Sequence, residues 1–138
     1  MKFLKHILPL AVLVTLGTVA RGEDTPMEKE MSAMNKAYKA LKKQIEDPAK
    51  KTENLALIEE IKKTSTASSK MEPKTTADQP AAGKAAYLEK FKAQMADFDK
   101  AVGTIETAIT AGDTAAAKAA FDKLNDLKKK GHDDFKKE

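Results

Sequence analysis

The stretch Ala116-Ala117-Lys118-Ala119-Ala120-Phe121-Asp122-Lys123-Leu124, running on through Lys128 to Lys130-Gly131-His132-Asp133-Asp134-Phe135, decides how this 138-residue chain folds. Ala117, Phe121, Leu124, Lys128, His132 and Phe135 recur three or four residues apart, which is the period of one helical face. Gly112 just before the stretch is a helix-stop residue, and Asp113 or Thr114 is a cap-type residue. The segment therefore reads as a helix from about residue 115 to about 136.

Upstream of Gly112 the same period continues. Tyr87 or Leu88, then Phe91, Met95, Phe98, Val102, Ile105 and Ile109 make a long third helix. Nearer the start, Met27, Met31, Met34, Tyr38, Leu41 and Ile45 step by 4, 3, 4, 3 and 4 residues. Asp24-Thr25-Pro26 opens that helix with a cap-type residue and a proline at the first helical position. Asp47-Pro48 repeats the signal, and Leu55, Ile58 and Ile61 form a second stripe that weakens into Thr64-Ser65-Thr66-Ala67-Ser68-Ser69. Residues 71–83 carry Pro73, Pro80, Gly83 and several Thr, Asp and Gln residues, the composition of a loop. There is no strand pattern, no glycine-rich phosphate loop and no repeat. Four helices with two short turns and one long middle connection predict an all-α, antiparallel up-down-up-down four-helix bundle.

The first twenty residues read differently. Lys2 and Lys5 precede a nearly continuous apolar run over 7–20, which ends Thr18-Val19-Ala20 in the manner of a cleavage site. The run is shorter than the ~20 apolar residues of a membrane span. Residues 1–20 are expected to be a secretory signal peptide, cut after Ala20 or Gly22, leaving 21–138 as one small bundle domain in the periplasm. Loss of Lys2 and Lys5 takes the formal charge from +4 to +2. Acids and bases interleave along the rest, so neither a nucleic-acid partner nor, after cleavage, a membrane is expected. The chain has no cysteine, so there are no disulfides and no C-x-x-C-H attachment of a haem.

With the leader gone, His132 is the one histidine. No catalytic constellation accompanies it, so an enzyme is not expected. In an antiparallel bundle, Met31 near the start of the first helix and His132 near the end of the fourth lie at the same end. A thioether facing an imidazole there is a ligand pair for a haem iron in electron transfer. Taken singly, Met31, Met34 and Met95 read as flexible core filler, and His132 as a half-exposed histidine at a helix C-terminus. Their conjunction with bundle topology and export favours the ligand pair. Gly131, beside His132, is expected to allow close approach of a macrocycle or a neighbouring helix.

Three stretches carry a family resemblance: Glu30-Met31-Ser32-Ala33-Met34-Asn35-Lys36-Ala37, Phe98-Asp99-Lys100-Ala101-Val102-Gly103-Thr104-Ile105, and the run from Gly112 through His132 to Phe135. Together they resemble the soluble cytochrome b562 family, periplasmic four-helix haem proteins, over about residues 25–137. The resemblance implies one noncovalent haem b (iron protoporphyrin IX), with Met31 and His132 as axial and metal ligands. Phe98 would be the pocket aromatic, with Val102 and Ile105 continuing that wall. Met34 reads as pocket lining and Lys128 as a further cofactor-binding residue; Gly131 and Lys128 depart from the family's pattern. The implied function is that of a periplasmic electron carrier acting as a monomer with an unidentified periplasmic redox protein. Two other readings stand beside it. Met27, Met31 and Met34 with His132 would suit copper(I), and a haem-free bundle would keep the fold alone.

Overall fold

The computed structural model describes residues 22–136, so the expected leader over 1–20 lies outside the described residues. Four α-helices follow one another: α1 (Pro26–Gln44), α2 (Lys51–Ser69), α3 (Lys84–Ala111) and α4 (Thr114–Phe135). The long α2–α3 connection contains two short 3-10 turns, Lys74–Asp78 and Ala81–Gly83. The described residues contain no strand.

Local chemistry sets the boundaries. Thr25 caps α1 in a reciprocal box: its hydroxyl accepts from the Glu28 amide, and Glu28 Oε2 accepts from the Thr25 amide at 2.7 Å. Asp47 opens a single 3-10 turn, Pro48–Lys50, which leads into α2. Gly112 ends α3 at φ 76°, the left-handed conformation that glycine adopts without strain. Its amide and that of Asp113 bond back to the carbonyls of Ile109 and Ala108, and the Asp113 carboxylate then caps α4 through the Ala116 amide.

The core runs up the bundle axis from the turn end. Leu41, Ile58, Ile61, Val102, Ile105, Ala117 and Leu124 are fully buried, with Tyr38, Ile45, Phe98, Ile109 and Phe121 around them. Fully burying an aliphatic side chain of this size is worth about 1.5–3 kcal/mol, so this cluster holds the closed end. The polar tail of α2 stays helical and enters the core. Thr64 bonds back to the Glu60 and Ile61 carbonyls, and Ser65 donates to Asp99 of α3 at 2.5 Å. These hydroxyls find partners as they are buried, which removes most of the cost of taking them from water.

Adjacent helices pack closely in three of the four seams: α1 on α2, α2 on α3 and α3 on α4. The α1–α4 seam is different. Its backbones make little close approach, and long side chains bridge the gap.

Candidate haem site

The α1–α4 seam is held in register by two cross-wall bonds. The Tyr38 hydroxyl donates to Asn125 Oδ1 at 2.7 Å, and Lys128 Nζ donates to Asn35 Oδ1 at 2.8 Å. From the first bond to the second, the chain moves three residues outward on both helices. Four more residues outward on each reaches Met31 and His132. Seven residues are nearly two helical turns, so these two residues project from the same faces as Tyr38 and Asn125, at one level.

At the level of the Tyr38–Asn125 bond the seam is filled. Tyr38 stacks on Phe121, with ring centroids 4.8 Å apart, and Lys128 Nζ lies 4.2 Å over the Tyr38 ring centroid. From Met34 outward the α1 wall is apolar but only partly covered. Met27, Met31 and Met34 are half-buried, whereas Tyr38, Leu41, Phe121 and Leu124 below them are buried. Two concavities lie elsewhere. One is at the closed end beside Ile45, Ile109 and Ala117, and the other lies beside Pro73, Thr76 and Leu88.

The remaining expected site residues divide by depth. Met34 packs against the edge of the core, and Phe98 is buried beneath the half-covered zone. Val102 and Ile105 are enclosed further down, within the core proper. Lys128 is half-buried, and no carboxylate ion-pairs with it among the described residues. Burial, followed by the charges of Lys39, Lys42 and Lys136, holds its ammonium below the usual lysine range. His132 is exposed, yet partial burial of its ring, then Lys128 and Lys136, lower its basicity and favour the neutral imidazole. The neutral ring is the form that can offer a nitrogen lone pair to a metal. No neighbouring helix approaches Gly131 closely: a Cβ there would meet only Gln94 Oε1, at an ordinary 3.8 Å.

Sequence reasoning missed Asn35 and Asn125, which fix the register, and the aromatic group Tyr87, Phe91 and Phe135 on the α3–α4 side. The signal for Asn35 was present: it lies one turn from both Met31 and Tyr38 on the α1 stripe.

These residues fit a haem. Among the described residues no group of three or more His, Cys, Asp or Glu side chains is placed to hold a bare metal ion. One thioether and one imidazole at a common level suit an iron that brings its own equatorial ring, and a half-covered apolar seam suits the faces of that ring. A four-helix bundle with such a seam suits a small b-type haem protein. The model of the family described as Cytochrome b562 matches residues 26–136, and the chain belongs to that family. The family binds a noncovalent b-type haem, as a chain without cysteine requires. No curated protein and no solved structure matches the chain.

Proposed function

We propose that this b-type cytochrome is a periplasmic electron carrier whose haem iron takes Met31 sulfur and His132 nitrogen as its axial ligands. The observation that supports the ligand pair is the α1–α4 register, which carries the spacing of the Tyr38–Asn125 and Lys128–Asn35 bonds outward to Met31 and His132. Met34 and Phe98 line the pocket, Val102 backs it from the core, and Lys128 contributes its charge at the inner edge. With both axial positions filled by side chains, the bound haem supplies a one-electron change of oxidation state, and methionine ligation raises its potential.

The protein's part is to hold and shield. The half-buried methionines keep water from the faces of the ring, and partial burial with the charges of Lys128 and Lys136 favours the form of the His132 imidazole that can bind a metal. Residues 1–20 act as the export signal, and the mature chain works as a monomer with a periplasmic redox protein. No described helix is long and apolar enough to cross a membrane.

Replacing Met31 with Ala in the haem-loaded protein should open a coordination site and turn the ferrous spectrum from low-spin to high-spin. Met34→Ala should leave it low-spin. The reverse pattern moves the ligand to Met34. A protein that takes up no haem and shows no Soret band overturns the electron-carrier reading.

A further inference from the structure

α1 and α4 are the walls of the seam, yet their own cross-wall bonds lie inward of Met31 and His132. Among the described residues, no hydrogen bond or ion pair joins α1 to α4 outward of the Asn35–Lys128 level. The mouth is spanned instead by the α2–α3 connection, residues 70–83. Two consecutive residues of this strap grip opposite walls. Lys74 Nζ meets Glu28 Oε1, in the first turn of α1, at 2.6 Å. Thr75 Oγ1 donates to the carbonyl of Phe135, the last residue of α4, at 2.9 Å. Thr75 Oγ1 also lies 2.5 Å from the Tyr87 hydroxyl, which reaches the Asp134 carbonyl at 3.1 Å.

Each grip falls where a helix end needs a partner. The last carbonyls of a helix have no intrahelical donor. Thr75 and Tyr87 supply donors to two of them. Glu28 is already fixed by the Thr25 capping box, so Lys74 pulls on an ordered carboxylate. The strap is itself pinned, because Pro73 and Thr76, on either side of the gripping pair, are buried. Glu28 lies three residues from Met31, and Phe135 three residues from His132. Each grip therefore acts one helical turn outside one member of the ligand pair.

We propose that Lys74 and Thr75 form a clamp that sets the width of the seam at its open end and so positions Met31 and His132 at the spacing a haem iron needs. They are positioning residues, acting through the first turn of α1 and the last turn of α4. The inference rests on the reading of this seam as the haem site. A constellation of ligands works only when its support holds it to about half an ångström. Walls tied only below the ligand level would splay at the mouth.

The test uses the full chain, which has no cysteine, with Lys29→Cys and Lys136→Cys introduced for spin labels on the two walls. Pulsed electron resonance on the haem-free protein should give a narrow distance distribution, and Lys74→Met with Thr75→Val should broaden it about twofold or more. In the haem-loaded protein without labels, transfer of haem to an excess of acceptor protein should be about tenfold faster in that double variant, the scale of two modest bonds lost. Lys74→Arg should keep both wild-type values. Lys62→Met, which removes another solvent-exposed pair, Lys62–Glu106 between α2 and α3, should change neither readout. An unchanged distance distribution, an unchanged transfer rate, or an equal effect of Lys62→Met overturns the clamp. Failure of the wild-type chain to take up haem overturns the haem reading instead, and the label distances then decide whether Lys74 and Thr75 set the seam's width at all.

Discussion

The register of α1 against α4 rests on few atoms, and the Tyr38–Asn125 bond is the one that can be removed most cleanly. Tyr38→Phe deletes a single hydroxyl. The ring keeps its stack on Phe121 and its place under the Lys128 ammonium, so packing is unchanged. A neutral hydrogen bond of this kind contributes about 1 kcal/mol net. Asn125 is only half-buried, so water can reach its freed oxygen and little further penalty arises. A loss of about 1 kcal/mol should lower the melting midpoint of the haem-free protein by roughly 3–6 °C. Tyr38→Leu also removes the aromatic stack and the cation–π contact, and should cost about 2–4 kcal/mol. The assay is urea unfolding of Tyr38→Phe, Asn125→Ala and the double variant, read by circular dichroism. The coupling energy of that cycle should be about 1 kcal/mol. A coupling near zero would mean that the bond does not form, and the register carried outward from it to Met31 and His132 would lose its support.

Two further outcomes follow from the same structure. The carboxyl of Glu28 is lowered to about 2 by its hydrogen bonds to Lys74 and Thr25. A depressed carboxylate favours the fold above its unfolded value near 4.5 and loses that contribution as pH falls toward about 2, so the haem-free protein should weaken through this window, and Glu28→Gln should flatten that limb of its acid titration. Gly112→Ala meets no neighbouring atom but must hold φ 76°, so it should cost about 1–2 kcal/mol by thermal melting, whereas Gly103→Ala, inside α3 with open space around it, should be neutral or slightly stabilising.

What the sequence made legible follows the range of each interaction. The α1 stripe from Met27 to Ile45 identifies a helix and its inward face, because three- and four-residue steps are local. The same stripe does not say what covers it: Tyr38, Leu41 and Ile45 are buried, while Met27, Met31 and Met34 are half-open. The run from Thr64 to Ser69 reads as a fading helix because its residues are polar. It remains helical and enters the core because Thr64 bonds to its own helix and Ser65 to Asp99 across the bundle. Composition marks residues 71–83 as a connection. That Lys74 and Thr75 reach α1 and α4 depends on pairings 46 and 60 positions apart, which no local period records. Gly131 was legible as a glycine inside a helix, but only the neighbouring Gln94 shows that no close approach of another helix calls for it.

The proposed site falls between α1 and α4 for a reason that belongs to the topology. In an up-down-up-down bundle each of the other three seams joins helices consecutive in the chain, and a turn or connection ties one end of each pair. The α1–α4 seam joins the first helix to the last, and no covalent link limits its width. Long side chains set its spacing: Tyr38 and Lys128 inside, with the strap reaching across at the mouth. A flat group entering this seam displaces side chains rather than a turn, while Leu41, Ile105 and Leu124 keep the closed end packed. Met31 and Met34 on the α1 wall are only partly buried. The apolar surface of these residues is surface that a macrocycle bound in this seam would remove from water, at about 25 cal/mol for each Å². The seam least constrained by the chain is thus the one where added burial can do most to hold a cofactor without a covalent bond.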